Sequence, residues 1–394
     1  MDYIIREKYI SKIKPFINKP VLKILTGMRR TGKSSLLHII KDEILKNIAD
    51  ENKIYINFET SMLLGINNAY SLLEYLKSLL EDIEGKVYFF FDEIQIVDGW
   101  EQVISDLKLN RDCDFYLASS NAKLISNTSL SEEYVEFEIQ PFTFSEFKKT
   151  FENMELSKEN LFYKFIQLGG LPFLKYFDLD ETPSFEYLND IYNTVLVKDV
   201  LQHNNIRDVD LFNHIFSYVI ANVGESFSAS SIKTYLKNKN KNISVDTILN
   251  YLEYCNVSFL IKKVPRYDVL SKKTLKIDEK YYLTDHGFRQ ATGCPITQDI
   301  ERILENIVYI ELLSRGYEVK VGKIKDKEIN FIAKKEKDLS YYQISYKIRD
   351  EKTRERIYET YNSITDNFPK YVLSMDHSNF SQDGIIHKNI IDFL

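Results

Sequence analysis

Residues 21–45, VLKILTGMRRTGKSSLLHIIKDEIL, decide how the rest of the chain is read. An apolar run short enough for a buried strand leads into a glycine-bearing loop. Apolar residues then recur at helical spacing. Within the loop, Gly27 and the trio Gly32-Lys33-Ser34 fit the pattern G-x-x-x-x-G-K-S in full. Each part has a chemical reason. The glycines let backbone N–H groups turn inward around phosphate oxygens at the positive end of the following helix. The lysine reaches the outer phosphates and the serine hydroxyl ligates Mg²⁺. The expected nucleotide contacts are Gly27, Arg30, Thr31, Gly32, Lys33, Ser34 and Ser35.

Working outward, VYFFFDEIQ (87–95) is a continuous apolar strand closed by two acids, the form of a buried parallel strand whose carboxyl end faces a nucleotide. Asp92 suits the Mg²⁺ shell. Glu93 suits the orientation and deprotonation of an attacking water, because phosphoryl transfer depends on positioning and charge stabilisation. Strand-like KIYINFE (53–59) and DFYLASSN (114–121) alternate with helical stretches at 69–83 and 100–109. That alternation implies an α/β fold, a P-loop parallel sheet with helices on both faces. Ser120 and Asn121 follow the last of these strands, where a γ-phosphate sensor belongs.

The bulk properties set limits. At 394 residues the chain is long enough for several domains, and 25 Phe and 27 Tyr supply core material. A net charge of −6 excludes a generally basic, nucleic-acid-coating protein. The charge is uneven, however. Residues 231–280 hold eleven Lys/Arg against five Asp/Glu, leaving −12 for the remainder. Cys113, Cys255 and Cys294 form no CxxC pair, which fits a reducing cytoplasm. The opening MDYIIREKYISKIKPF lacks a signal-peptide core, and no apolar run has bilayer length, so no membrane partner is expected.

The basic stretch has its own layout. Ser230 and Ser244 are placed to cap two short helices, SIKTYLKN and VDTILNYLEY, and two strands with a basic turn follow. Helix, turn, helix and β-hairpin is the order of a winged helix-turn-helix, which grips duplex DNA phosphates with Lys and Arg. Candidate contacts are Lys233, Lys237, Lys239, Lys241, Lys262, Lys263, Lys272 and Lys273. The alternative is a module used for packing, with its lysines merely solvated.

GMRRTGKSSLL, FFFDEIQIVDGWE, ASSNAKLIS, EIQPFTFSEF, GGLP and LENIVYIELLSRGY together resemble the archaeal-type AAA ATPases of bacteria and archaea. In that family a C-terminal domain related to PD-(D/E)XK nucleases follows the ATPase. The resemblance implies an ATP-binding core with Mg²⁺, with Lys33, Ser34, Asp92 and Glu93 in the roles above and Ser120 as sensor. Two departures stand out. Glu132 and Glu133 occupy the place of a usual Gly-Arg pair, and Ser119 replaces a Gly. Loss of that arginine would slow hydrolysis.

In the tail, the resemblance aligns Glu305 with a helix acid. It sets Asn330, Gln343 and Ser345 where the nuclease pattern has Asp, an acid and Lys. An amide binds a hard cation far more weakly than a carboxylate. Glu328 and Lys347 share faces with the altered positions and offer a rescue only by migration. The expectation is a nuclease frame without nuclease chemistry. The expected division is an ATPase core over 1–145, a helical lid or linker over 146–205 with GGLP as hinge, a winged helix over 206–292, and the small α/β nuclease-like tail over 293–394. The functional expectation is an ATPase that couples nucleotide state to DNA binding. The alternative is a nucleotide-gated switch with little turnover.

Overall fold

The computed structural model describes residues 3–61, 65–122, 124, 134–202, 204, 206, 208–239, 241–293 and 299–394. Glu132, Glu133 and Cys294 lie outside them. The chain divides into two compact units, residues 1–139 with 257–259, and residues 140–256 with 260–394.

The first unit is built on five parallel strands: β1 (Leu22–Thr26), β2 (Lys53–Asn57), β3 (Val87–Asp92), β4 (Cys113–Ser119) and β5 (Tyr134–Glu138). Their order is β2-β3-β4-β1-β5. Every residue of β3 is buried, because both faces of a parallel sheet are covered. Its side chains alternate between two cores. Phe89 and Phe91 join Phe115, Leu72, Leu76, Ile104 and Leu107 on one face. Tyr88 and Phe90 join Tyr116, Leu36, Leu37 and Ile10 on the other. Phe89 stacks on Phe115 and Phe90 on Tyr116, with ring centroids 5.0 and 4.9 Å apart. The helices over these faces run Ala69–Leu80 and Trp100–Asn110 on the first, and Lys33–Ile39, continuing as a wider turn to Ile44, on the second.

Strand β3 stops at Asp92, short of the expected 95. Glu93 takes a left-handed backbone with φ 55°, which ends the strand and redirects its side chain. Likewise the expected helix over 69–83 ends at Leu80, and the expected strand 114–121 spans Cys113–Ser119.

The second unit carries a seven-stranded sheet: β6 (Ile261–Asp268), β7 (Lys273–Leu283), β8 (Glu318–Ile324), β9 (Lys327–Lys335), β10 (Asp338–Ile344), β11 (Lys370–Ser374) and β12 (Ile385–Asn389). The order is β12-β11-β10-β9-β8-β6-β7. Two consequences differ from the sequence expectation. The basic hairpin β6–β7 does not stand apart as a wing, because Arg266–Asp268 pair in parallel with Val321–Lys323 of β8. One sheet therefore runs across the expected boundary at 292–293. The helix Ala229–Asn238 starts two residues earlier than expected, and its cap is Ser228, whose hydroxyl accepts from the Ser231 N–H at 3.1 Å, rather than Ser230. Ser244 does cap its helix, accepting from the Thr247 N–H at 3.1 Å.

The GGLP turn meets a second motif 115 residues away. Asp285 is buried and accepts from the N–H groups of Gly170 (2.9 Å) and Gly287 (2.8 Å). The turn is clamped: a Cβ on Gly169 would lie 1.9 Å from Asp285 Oδ1. Gly169→Ala is expected to cost about 1–3 kcal/mol beyond Gly384→Ala. Gly384 shares a left-handed backbone but has open space around it. Denaturant unfolding of the two variants checks this, and equal losses would contradict the clash.

Candidate active site at the strand ends

Because β4 lies between β1 and β3, the loop after β1, the acids ending β3 and the serine after β4 emerge at one edge of the sheet. In open parallel sheets that edge is where ligands bind.

The loop is shaped by its glycines at two points. Gly27 has φ 135° and passes so close to Ile139 that a Cβ would sit 2.5 Å from its carbonyl oxygen. Gly32 has φ 100° and precedes the helix that opens with Lys33. Thr31 is buried, its hydroxyl donating to the Met28 carbonyl at 2.9 Å, and Arg6 Nη1 donates to the Thr31 carbonyl at 3.0 Å. Arg30 is exposed, as is Ser34, while Ser35 is half-buried.

Lys33 is 4 % exposed, and its ammonium donates to the carbonyls of Gly27 (2.9 Å) and Met28 (3.0 Å). It lies 3.9 Å from Glu93 Oε1. Glu93 Oε2 accepts from the Ser120 hydroxyl at 2.8 Å, from the Ser120 N–H at 3.2 Å and from Gln95. Burial pushes the Glu93 carboxyl up. The Lys33 and Arg29 charges and the hydrogen bonds from Gln95 and Ser120 outweigh that push, so it ionises below its ordinary range.

Asp92 is 1 % exposed and behaves in the opposite way. Burial raises its carboxyl above the ordinary range, against a lowering by the Ser34 hydroxyl, and the Glu93 charge adds to the rise. Its Oδ2 accepts from Tyr55 Oη (3.0 Å) and Asn57 Nδ2 (3.3 Å), while Oδ1 is buried with no hydrogen-bond partner. A buried, unpaired carboxylate oxygen beside a serine hydroxyl fits a hard divalent cation.

The structure thus brings together Lys33, Ser34, Asp92, Glu93 and Ser120. Asn121 is half-buried, its N–H on Ser119 Oγ at 3.0 Å. Sequence reasoning missed Tyr55, Asn57, Gln95 and Arg6. Asn57 was within reach, since it closes a strand at the same sheet edge. Arg6 carried no local signal.

The basic residues are more dispersed. Lys233, Lys237, Lys239, Lys263, Lys272 and Lys273 are exposed, and Lys262 is half-buried. Lys239 lies over the Tyr235 ring, Lys241 is ion-paired with Asp210, and Lys263 pairs with Glu279 at 3.0 Å. Lys262 faces Tyr282 at one end of the hairpin and Lys273 faces Asp268 at the other, about 20 Å apart at the usual strand rise.

In the tail, Asn330 Oδ1 accepts from the Ile344 N–H (2.9 Å), Gln343 Oε1 from the Asn330 N–H (3.3 Å), and Glu301 Oε1 from the Ser345 hydroxyl (2.8 Å). Glu305 is buried on its helix. It binds Lys280 at 3.1 Å and accepts from Tyr282 Oη. The same ammonium lies 2.5 Å from Glu328, which also pairs with Arg266. Among the described residues no cluster of three His, Cys, Asp or Glu is placed to hold a metal, and no helix is long and apolar enough to cross a membrane.

This parallel sheet, loop and acid pair define a P-loop ATPase-like domain, and residues 19–148 match the AAA domain family. Residues 159–295 match a domain of unknown function. The chain belongs to one family with an uncharacterized protein of Haemophilus influenzae, 32 % identical over 99 % of this chain and 98 % of that one. An uncharacterized protein of Methanocaldococcus jannaschii is 32 % identical over 78 % of this chain and 69 % of its own length. Among solved structures, the Walker-type ATPase PABY2304 of Pyrococcus abyssi shares the fold, with TM-score 0.54 and 16 % identity over 74 % of this chain and 96 % of that one.

Because the Asp92 carboxyl is raised, its charge costs nothing below the unfolded-state value and increasingly destabilises the nucleotide-free protein as pH rises through the folded value. Asp92→Asn is therefore expected to raise thermal stability at pH 7, by about 1 kcal/mol, with the gain vanishing in acid. The same variant should lose the extra stabilisation that Mg²⁺ with nucleotide gives the wild type. Melting curves with and without Mg·ATP check both, and a lower melting point for the nucleotide-free variant at pH 7 would contradict the assignment.

Proposed function

We propose that the chain is a Mg²⁺-dependent ATP-binding protein that hydrolyses ATP. The observation that carries this reading is the convergence of Lys33, Ser120 and the two acids of β3 at one sheet edge, with Asp92 Oδ1 buried and unpaired. The loop amides and Lys33 hold the phosphates. Ser34 and Asp92 hold Mg²⁺, which when bound neutralises phosphate charge. Glu93 is held ionised by its neighbours, so it orients the attacking water better than it accepts a proton. Ser120 fixes that carboxylate.

A switch with little turnover is favoured by one observation: Lys33 and Glu93 are already engaged with each other and with the loop. Phosphate release separates the two readings. Wild type is expected to release phosphate, with Lys33→Ala losing nucleotide binding and Glu93→Gln retaining binding but losing at least about a hundredfold in rate. Equal rates in all three would discard hydrolysis.

The partner we propose is duplex DNA, read by the helix pair Ala229–Asn238 and Val245–Val257 with the basic turn of the β6–β7 hairpin, the order of a winged helix with its hairpin joined to a larger sheet. The support is the local charge of +6 against the acidic remainder and the exposure of Lys233, Lys237, Lys272 and Lys273. The tail is proposed as a nuclease-like frame without metal chemistry. The three altered positions are tied to backbone groups or to Glu301, and Glu305 and Glu328 share Lys280. Lys233/Lys237 and Lys272/Lys273 double alanines are each expected to weaken DNA binding, lowering the slope of log affinity against log salt by about 1 for each phosphate that is no longer gripped. Unchanged affinity and slope in both would remove DNA from the account.

A further inference from the structure

Phosphoryl transfer needs positive charge on the departing group beyond the cradle lysine, and the loop holds a second cation in position. Arg29 lies two residues past Gly27, and its side chain is 16 % exposed. Its guanidinium is ion-paired with Glu59, which sits in the short helix Phe58–Ser61 directly after β2. Glu59 is tied back into the site. Its N–H donates to Asn57 Oδ1 at 3.0 Å, and Asn57 Nδ2 donates to Asp92 Oδ2 at 3.3 Å. A chain of contacts therefore runs from the metal-binding acid through Asn57 and Glu59 to Arg29.

We infer that Arg29 is a catalytic arginine supplied from within the cradle, parked on Glu59 before nucleotide arrives and transferred to the γ-phosphoryl oxygens when ATP is held. This rests on the ATPase reading above. A half-exposed carboxylate partner holds an arginine weakly. A triphosphate offers several anionic oxygens in the fork geometry that guanidinium matches, so the exchange runs toward the nucleotide. In the hydrolysis itself a water oxygen bonds to the γ-phosphorus. The bond to the bridging oxygen breaks with its electron pair passing to ADP, and the water's proton leaves to phosphate or solvent. Arg29 stabilises the charge that builds on the equatorial and bridging oxygens during that exchange. Arg30, one position on, has a left-handed backbone (φ 67°) and an exposed side chain.

The test uses the full chain with two readouts: calorimetric binding of Mg²⁺ with a non-hydrolysable ATP analogue, and phosphate release from ATP. Arg29→Ala is expected to bind the analogue within about threefold of wild type while turnover falls about a thousandfold. Arg29→Lys should recover only part of that rate, because a point charge lacks the fork. Glu59→Gln, which removes the Glu59 charge from the guanidinium, should raise turnover severalfold. Turnover by Arg29→Ala within threefold of wild type overturns the proposal. So does a parallel loss of binding and turnover in Arg29→Ala, which would make Arg29 a ground-state phosphate ligand. Wild type that binds the analogue without hydrolysing ATP overturns the arginine role and leaves nucleotide binding intact. Wild type that binds no analogue removes the ATPase reading itself. If Arg29→Ala does not fold, Arg29→Lys and Glu59→Gln carry the test through opposite changes in rate.

Discussion

Two adjacent carboxylates, Asp92 and Glu93, are buried at the end of one strand, and the rest of the first unit is arranged around that cost. Taking an ionised carboxylate out of water costs several kcal/mol unless it is paired and hydrogen-bonded. Glu93 meets the requirement through Lys33, Ser120 and Gln95. Asp92 meets it only in part, through Tyr55, Asn57 and the nearby Ser34 hydroxyl, and its Oδ1 is left without a hydrogen bond. The donors come from three different strand ends and the loop after β1. The parallel pairing of the strands, in the order β2-β3-β4-β1-β5, delivers them to one edge. The uncompensated part of the cost falls on Asp92 Oδ1.

The second unit solves a similar problem differently. Glu305 and Glu328 also approach each other, but a lysine of the chain itself, Lys280, lies between them, 3.1 and 2.5 Å away. Desolvation lowers the Lys280 ammonium, yet the two carboxylates more than offset that and hold it charged. A built-in cation satisfies these acids, whereas the first unit leaves the Asp92 Oδ1 without a hydrogen-bond partner. The amide and hydroxyl groups of Asn330, Gln343 and Ser345 serve the backbone of the hairpin and the Glu301 carboxylate.

What the sequence revealed follows from how local each signal is. The loop at 27–34 and the strand VYFFFD declare themselves through spacing and unbroken apolarity, and the structure places both where the pattern requires. In the tail, β9 and β10 pair as a hairpin around a turn at Glu336. Features that escaped were non-local or conformational. The left-handed backbone of Glu93 leaves no mark in the apolar pattern. The β6–β8 pairing joins segments more than fifty residues apart. The roles of Asn57, Tyr55 and Lys280 depend on contacts across strands. The glycines of GGLP were read as freedom to swing; in the structure a side chain on Gly169 would meet Asp285, and one on Gly170 would meet the Phe142 carbonyl.

Isothermal titration of Mg·ATP into the folded wild-type chain tests the central claim most directly. The account requires saturable binding of one nucleotide per chain, weakened when the divalent cation is chelated. A folded sample that gives no heat and retains no nucleotide would contradict it, because the bare oxygen of Asp92 and the cradle around Lys33 would then be serving something else.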